Sequence, residues 1–377
     1  MNLPRQRSLM VPLPALLARL WLWLVCVGSA GFCVPLYAAD TDSLYQSDVV
    51  VNARGDAAER NKAFTSGLED VLVKLTGRAN TPQNPAIRRR IQNTQSLVEG
   101  WAYQTRVVDG AEQLYLQIHY FQPEIQRLLD DAGIALWPAN RPPTLVWLVT
   151  QSESAEPSLV DPEDASEAEV YQALQAAAAR RALPLRLPFV DEQDRSELSA
   201  EQVWNMDALA LRAASQRYGS ESVLALRLLR TSAGTTYAKA TYLFRDRVLE
   251  LERRDRPESE FLDAAAALVA EALADTFAVR LSAAASDSSS VMLEVSGVRG
   301  VADYAALLRY LDGLAVVSKV QVLAATGDRL TLQLSAGGQL RQLLETLALE
   351  RKLVPQGDAA LTTAPDLALQ YRWQTPP

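Results

Sequence analysis

The chain has 377 residues, of which 49% are hydrophobic and 22% charged, with a net charge of −8 and a single histidine. That length suits two or three globular domains, and the composition excludes wholesale disorder. An acidic chain is poorly suited to nucleic acid or to anionic lipid, so neither is expected as a partner.

Residues 1–39 read as an export signal. Arg5, Arg7 and Arg19 are the only charges before Asp40, an apolar run extends from Leu20 to Val34, and "PLYAAD" offers small residues for cleavage after Ala38 or Ala39. A membrane helix needs about 20 apolar residues, and this run is shorter. The expectation is a periplasmic protein with a cleaved signal; an uncleaved signal, anchoring the chain in the inner membrane, is the alternative. Cys26 and Cys33, the only cysteines, would leave with the signal. They follow Val25 and Phe32, where a lipid-attachment site wants a small residue. The remaining chain then has no disulfide, thiol nucleophile or thiolate metal site.

Residues 40–138 are expected to form a small α+β domain. "LYQSDVVVNA" suits a strand. A helix follows, with Phe64, Leu68, Val71, Leu72 and Leu75 on one face and Gly77 at its end. "AIRRRIQN" suits a short helix. "WAYQTRVVDGAEQLYLQIHYF" suits a hairpin turning at Asp109-Gly110, and "QPEIQRLLDDAG" a helix opened by Pro123 and closed by Gly133.

The stretch "AGIALWPANRPPTLVWLVT" comes next. Pro138, Pro142 and Pro143 prevent a new helix, and "TLVWLV" suits a buried strand. One reading is a binding loop, with Arg141 as an anion clamp and Trp137 as a stacking platform. The preferred reading is a stiff joint between domains, because proline stiffens linkers. On that reading Trp137, Asn140, Arg141 and Trp147 are joint residues, both tryptophans fill the domain contact, and Arg141 matters less.

Residues 143–282 alternate strand and helix, implying a mixed-sheet α/β domain. Ser166 and Glu169 have capping-box spacing, as do Ser199 and Gln202, the latter opening a well-buried helix through Tyr218. "LPLRLPFV" suits an edge strand, given its prolines. "SVLALRLLR", "TTYAKATYLF" and "RVLELER" suit three strands, and a last helix starts near Pro257. A Ser-rich linker covers residues 281–290.

Residues 290–377 follow the β-α-β-β-α-β order of a ferredoxin-like, split-βαβ domain, ending on "LALQYRW". Alternation sends Leu330, Leu332, Leu334, Leu367, Leu369, Tyr371 and Trp373 toward the helices. It leaves Gln333, Gln370 and Arg372 on a bare polar face, with Glu294, Lys319, Gln321 and Thr331 beside them. These residues are the candidate interaction surface.

Catalytic signals are few. His119 alternates away from the apolar face of its strand, as a half-exposed sheet residue does. The sequence has no GxSxG, HExxH, phosphate-loop, dinucleotide or EF-hand motif. Asp191, Glu192 and Asp194 follow a strand and could hold a divalent cation, but charge runs of this kind are usually solvated. The Arg88-Arg89-Arg90 run lacks the aromatic partners of single-strand binders. No cofactor is expected.

Three motifs, "RNKAFTSGLEDVLVKLTGRANTPQNP", "LLDDAGIALWPANRPPTLVWLV" and "RLPLRLPFVD", resemble domain-of-unknown-function family 2066, a group of uncharacterised proteobacterial envelope proteins. The resemblance implies envelope location and carries no activity or catalytic residues. The expected function is a non-enzymatic, exported interaction or assembly module with an unknown protein partner. The alternative is a periplasmic hydrolase or divalent-metal enzyme using Asp191, Glu192 and Asp194.

Overall fold

The structure is a computed structural model that describes residues 41–108, 110–164, 167–254, 257–280, 290–314, 316–317, 319–336, 340–349, 352–356 and 368–374. The expected signal, Asp109 of the hairpin turn, Ser166 of the first capping box, linker residues 281–289 and Leu367 lie outside the described residues. Residues 38–377 form one compact unit. Its described residues form three sheets flanked by helices, a mixed α and β architecture.

The first sheet holds β1 (Gln46–Val50), β2 (Val98–Val108) and β3 (Ala111–Tyr120) in the antiparallel order β1-β3-β2. Helix α1 (Ala57–Thr76) covers one face. The Asp56 carboxylate caps its start by accepting from the Ala58 and Glu59 amides, and Gly77, at φ +70°, ends it. Phe64, Leu68, Val71, Leu72 and Leu75 are buried along α1, as their spacing predicts. The Tyr120 hydroxyl donates to the Phe64 carbonyl at 2.6 Å. Gly67 permits that approach, since a Cβ there would lie 2.7 Å from the Tyr120 oxygen. Helices α2 (Pro85–Ile91) and α3 (Gln122–Asp131) complete this part. Arg88, Arg89 and Arg90 lie on the exposed side of α2. His119 is exposed on the sheet's other face.

The middle sheet runs β5-β4-β7-β8-β9, with the short β6 also on β4. Its strands are β4 (Thr144–Ser152), β5 (Ser158–Leu159), β6 (Leu185–Arg186), β7 (Ser222–Arg230), β8 (Thr236–Phe244) and β9 (Arg247–Arg254). β4 and β7 pair in parallel, and β7, β8 and β9 form an antiparallel meander. Helices α4 (Ala168–Ala179) and α8 (Glu258–Phe277) cover one face, burying Val146 and Leu148. Helices α6 (Ala200–Trp204) and α7 (Ala208–Ser215) supply the core on the other face, with Leu145, Trp147 and Val149, and Val190 and Leu198 join it from either side of α5 (Glu192–Glu197). Burial on both faces explains the uninterrupted apolar run of β4.

Two expectations change here. "LPLRLPFV" pairs only through Leu185 and Arg186, because Pro184 and Pro188 lack the N–H a ladder needs. The single helix expected from Ser199 to Tyr218 is broken. Its capping box forms, but the chain then turns through Met206 at φ +56°, and Asp207 caps a new helix by accepting from the Leu209 and Ala210 amides. The break leaves Leu209 82% exposed, not buried. An Asp competes with helix continuation by bonding the backbone two and three residues on.

The third sheet runs β11-β12-β10-β14-β13, from β10 (Ser290–Ser296), β11 (Lys319–Thr326), β12 (Arg329–Ser335), β13 (Leu353–Pro355) and β14 (Leu369–Trp373). Helices α9 (Val301–Asp312) and α10 (Leu340–Leu349) supply Leu307, Leu311, Leu343 and Leu347 to its core. β10, α9 and β11 form a split βαβ unit with β12 between the two strands, and the expected order is corrected only at its end. β13 is an additional strand, and β14 lies between β10 and β13, parallel to β10. Burial explains the placement: β14 buries Leu369, Tyr371 and Trp373, whereas β13 buries only Leu353. Pro355, unable to donate, suits an edge.

Candidate functional site

The stretch expected to be a joint is built around Arg141, which is 4% exposed. Its Nε donates to the Pro138 carbonyl at 2.9 Å. One terminal nitrogen donates to the carbonyls of Arg181 at 2.7 Å and Ala182 at 3.0 Å; the other donates to those of Lys74 at 2.7 Å and Trp137 at 2.9 Å. The guanidinium also stacks on the Trp137 ring, 4.0 Å from its centroid. Its five N–H groups are thus spent on backbone carbonyls of the joint, of the last turn of α1 and of the residues after α4. Carbonyls at helix C-termini lack intrahelical partners and carry negative dipole ends, so a cation suits them. Burial pushes the guanidinium down to about 9, which leaves it charged at neutral pH.

This geometry argues against the expectation that Arg141 matters less than the tryptophans. Arg141 pins carbonyls from three places in the chain, and it has no free donor for an anion. Trp137 is buried beside it, its backbone N–H on the Leu75 carbonyl at 2.7 Å and its ring against Gly77, where a Cβ would meet it at 2.9 Å. The Trp137 indole N–H and the Asn140 side-chain nitrogen are buried without a hydrogen-bond partner among the described residues. Trp147 is buried but not at the joint. It sits in the core beneath α6 and α7, its indole N–H donating to the Ser215 hydroxyl at 3.0 Å and its ring edge-on to Tyr218. Strand alternation separates it from the joint.

A cleft of about 260 Å³ opens beside the joint, and sequence reasoning missed it. Tyr45 and Gln126 line it from the first part, Pro138 and Asn140 from the joint, Phe277 from α8, and Leu314 from the third part. Its lining is dispersed through the chain, so no local motif marks it.

The carboxylates are structurally committed. Asp191 caps α5 by accepting from the Asp194 amide at 2.9 Å, and Arg217 grips it through two bonds of 2.6 and 2.7 Å. Asp194 is fully buried, accepting from Arg217 at 2.8 Å and from the Tyr218 hydroxyl at 2.5 Å. The hydrogen bonds from Arg217 hold the Asp191 carboxyl far below the usual carboxylate range. Burial, then the bond to Asp194, pushes the Tyr218 phenol up. Glu192 is exposed in the first turn of α5. Among the described residues no group of His, Cys, Asp and Glu is arranged to hold a metal ion. Arg217 and Tyr218 were not singled out by sequence, since three helices separate them from Asp191 along the chain.

The third candidate lies elsewhere. On the face of the last sheet away from the helices, Gln333 is opposite Met292 and Gln321, Gln370 is opposite Glu294, and Arg372 is opposite Ser296 and Val354. With the Gln356 amide oriented to suit both neighbours, its oxygen accepts from Arg372 at 3.0 and 3.1 Å and its nitrogen donates to Ser296 at 3.0 Å. Met292 and Leu323 are exposed on this sheet. The three groups of candidate residues therefore occupy three places and do not converge.

A family model, Domain of unknown function (DUF8605), matches residues 38–138. This corrects the resemblance to family 2066. The first quoted motif and the second as far as Pro138 fall inside the matched segment, and the family matched there is a different one. No curated protein matches the chain. Among solved structures, an uncharacterised protein is similar at 9% identity over 36% of this chain and 91% of its own, with a TM-score of 0.17. A formyltetrahydrofolate deformylase from Pseudomonas putida KT2440 is similar at 10% identity over 53% of this chain and 90% of its own, with a TM-score of 0.14. Superpositions this loose carry no argument about fold or chemistry.

Proposed function

We propose that this protein is an exported, non-enzymatic module of the cell envelope that works through protein contacts. The observation that carries the reading is the state of the acidic cluster. Asp191 and Asp194, the residues on which an enzyme would have relied, are engaged by Arg217 and Tyr218. A carboxylate so neutralised is a poor base and a poor cation ligand. Export rests on the charge, apolar run and small-residue order before Asp40. Among the described residues no helix is long and apolar enough to cross a membrane. The contact surface on this reading is the outer face of the third sheet around Gln333, Gln370 and Arg372. It mixes amides and a cation with exposed Met292 and Leu323, as transient interfaces do.

The test places a photo-crosslinking residue at Gln333 or Gln370 in cells. A discrete adduct that disappears with Arg372→Glu is expected. Absence of adducts, together with ester or phosphoester turnover by the purified protein that Asp191→Asn abolishes, would establish the enzyme reading instead. Intact-mass measurement should find a chain starting near Ala39 or Asp40; a chain retaining residues 1–38 would mean an anchored protein.

A further inference from the structure

The first sheet ends on a free edge. β2 pairs with β3 on one side, and among the described residues no strand pairs with its other side. An unpaired edge presents a row of N–H and C=O groups, and proteins usually protect it with proline, lysine or distortion. β2 contains neither proline nor lysine, and its one irregularity lies at its start, between Val98 and Gly100. From Gly100 to Val108 its pairing with β3 is regular, a length of roughly 30 Å at the usual rise per residue. Two of the large apolar side chains left exposed in this protein lie on that stretch, Trp101 at 44% and Val107 at 71%.

We infer that β2 pairs antiparallel with β2 of a second copy of this chain, about a two-fold axis at Gln104. Three features of the strand match themselves under that operation. Gln104 is the midpoint of the regular stretch, so Gly100–Val108 pairs end to end with no overhang. The same register sets Trp101 opposite Val107 of the other copy, twice, so each exposed apolar residue covers the other. Aromatic and β-branched residues make favourable cross-strand pairs.

The charges also fit. Arg106, the only charged residue of the paired stretch, comes opposite Ala102, and Asp48 already neutralises it at 2.6 Å. On the other face Arg60 lies over the Trp101 ring, 5.1 Å from its centroid. Glu112 is the β3 neighbour of Val107 and is exposed. In the pair, Arg60, Trp101, Val107 of the second copy and Glu112 of the second copy fall in one row across the strands. The row then carries a cation at one end and a carboxylate at the other, and the two-fold repeats it. The product is one continuous six-stranded sheet with self-complementary contacts, as a two-fold interface requires. It is separate from the outer face of the third sheet and does not depend on the reading of that face.

The experiment is cysteine crosslinking in the full chain with Cys26→Ala and Cys33→Ala, so that each introduced thiol is the only one. A residue on the axis faces its own copy within disulfide reach. Gln104→Cys is expected to oxidise to a covalent dimer, whereas Val50→Cys, exposed on β1 at the opposite edge, is not. Light scattering should give twice the mass of one chain for the wild type and one chain for Val107→Asp, with unchanged circular dichroism in both. A single-chain mass for the wild type overturns the proposal. So does a dimer that survives Val107→Asp without Gln104→Cys crosslinking, which would place the contact elsewhere. Crosslinking of Gln104→Cys to a different protein would mean that a foreign strand takes the edge, and would overturn it equally.

Discussion

Arg141 shows how one side chain can hold two parts of a chain together without an acidic partner. Its five bonds go to carbonyls that their own helices and loops leave unpaired. Replacing it with Met leaves several buried acceptors unsatisfied, at about 1–3 kcal/mol each. Arg141→Met is therefore expected to destabilise by at least about 3 kcal/mol, as much as the ~3–5 kcal/mol typical of Trp137→Ala. Arg141→Lys should recover only part of this, since an ammonium has three donors and no planar fork. Urea unfolding of the three variants checks the order, and an Arg141→Met midpoint equal to wild type would remove the pin. Asp191 offers a test in pH. Its carboxyl is held low in the folded state by Arg217, so its contribution is complete above the ordinary carboxylate value. It is lost as pH falls below that value toward the folded one. The stability difference between wild type and Asp191→Asn should be constant from pH 7 to about 5 and shrink below about pH 4. A difference that grows in acid would contradict the ion pair.

At the scale of elements, close approach and capping decide where helices lie and stop. Gly67 lets β3 lie against α1 so that Tyr120 reaches the Phe64 carbonyl. Gly67→Ala overpacks that contact and is expected to cost about 1–3 kcal/mol. Tyr120→Phe removes the crowded oxygen, so the double variant should be less destabilised than the sum of the two singles, a coupling that thermal melts of the four proteins would reveal. Additive effects would mean the helix and sheet are further apart than described. Asp207 starts α7 after the break at Met206. Asp207→Ala should lower stability by ~1 kcal/mol through loss of the cap, readable as a shift of the urea midpoint. Capping-box spacing at Ser199 and Gln202 was legible in the sequence, and the box forms. The break was not, because "WNMDALALRAAS" keeps helical periodicity across it and only the Asp marks the restart.

Across the whole molecule, surface ion pairs and buried joints contribute unequally. Arg78 pairs with Asp275 between the end of α1 and α8, and Arg245 pairs with Glu345 between the middle sheet and α10. Both are partly exposed, and such pairs contribute about 0–1 kcal/mol each. Asp275→Asn with Glu345→Gln should therefore move the unfolding midpoint little at moderate salt, far less than Arg141→Met alone. A loss as large as that of Arg141→Met would show that the surface ties, not the joint, hold the parts together.

Most of the elements in the described chain could be read from the amino-acid order, because each depends on neighbours in sequence. The α1 stripe, the β4 run and the alternating faces of β12 follow from periods of 3.6 and 2, and the burial of Leu330, Leu332 and Leu334 agrees. Arg141 could be assigned to the joint but not ranked within it, since its bonds go to carbonyls whose availability depends on where α1 and α4 end. Trp147 could be expected to be buried but not on which side, because a strand covered on both faces has no polar side to orient it. Asp191 and Asp194 could be read as a solvated run or, less favourably, as ligands, but the burial of Asp194 and the partners Arg217 and Tyr218 come only with the fold. The placement of β14 beside β10 was decided by competition between two distant strands for one inner position, and burial of three side chains outweighed burial of one. Local order determines which elements form; which of them meet is settled only when the whole chain shares its buried surface.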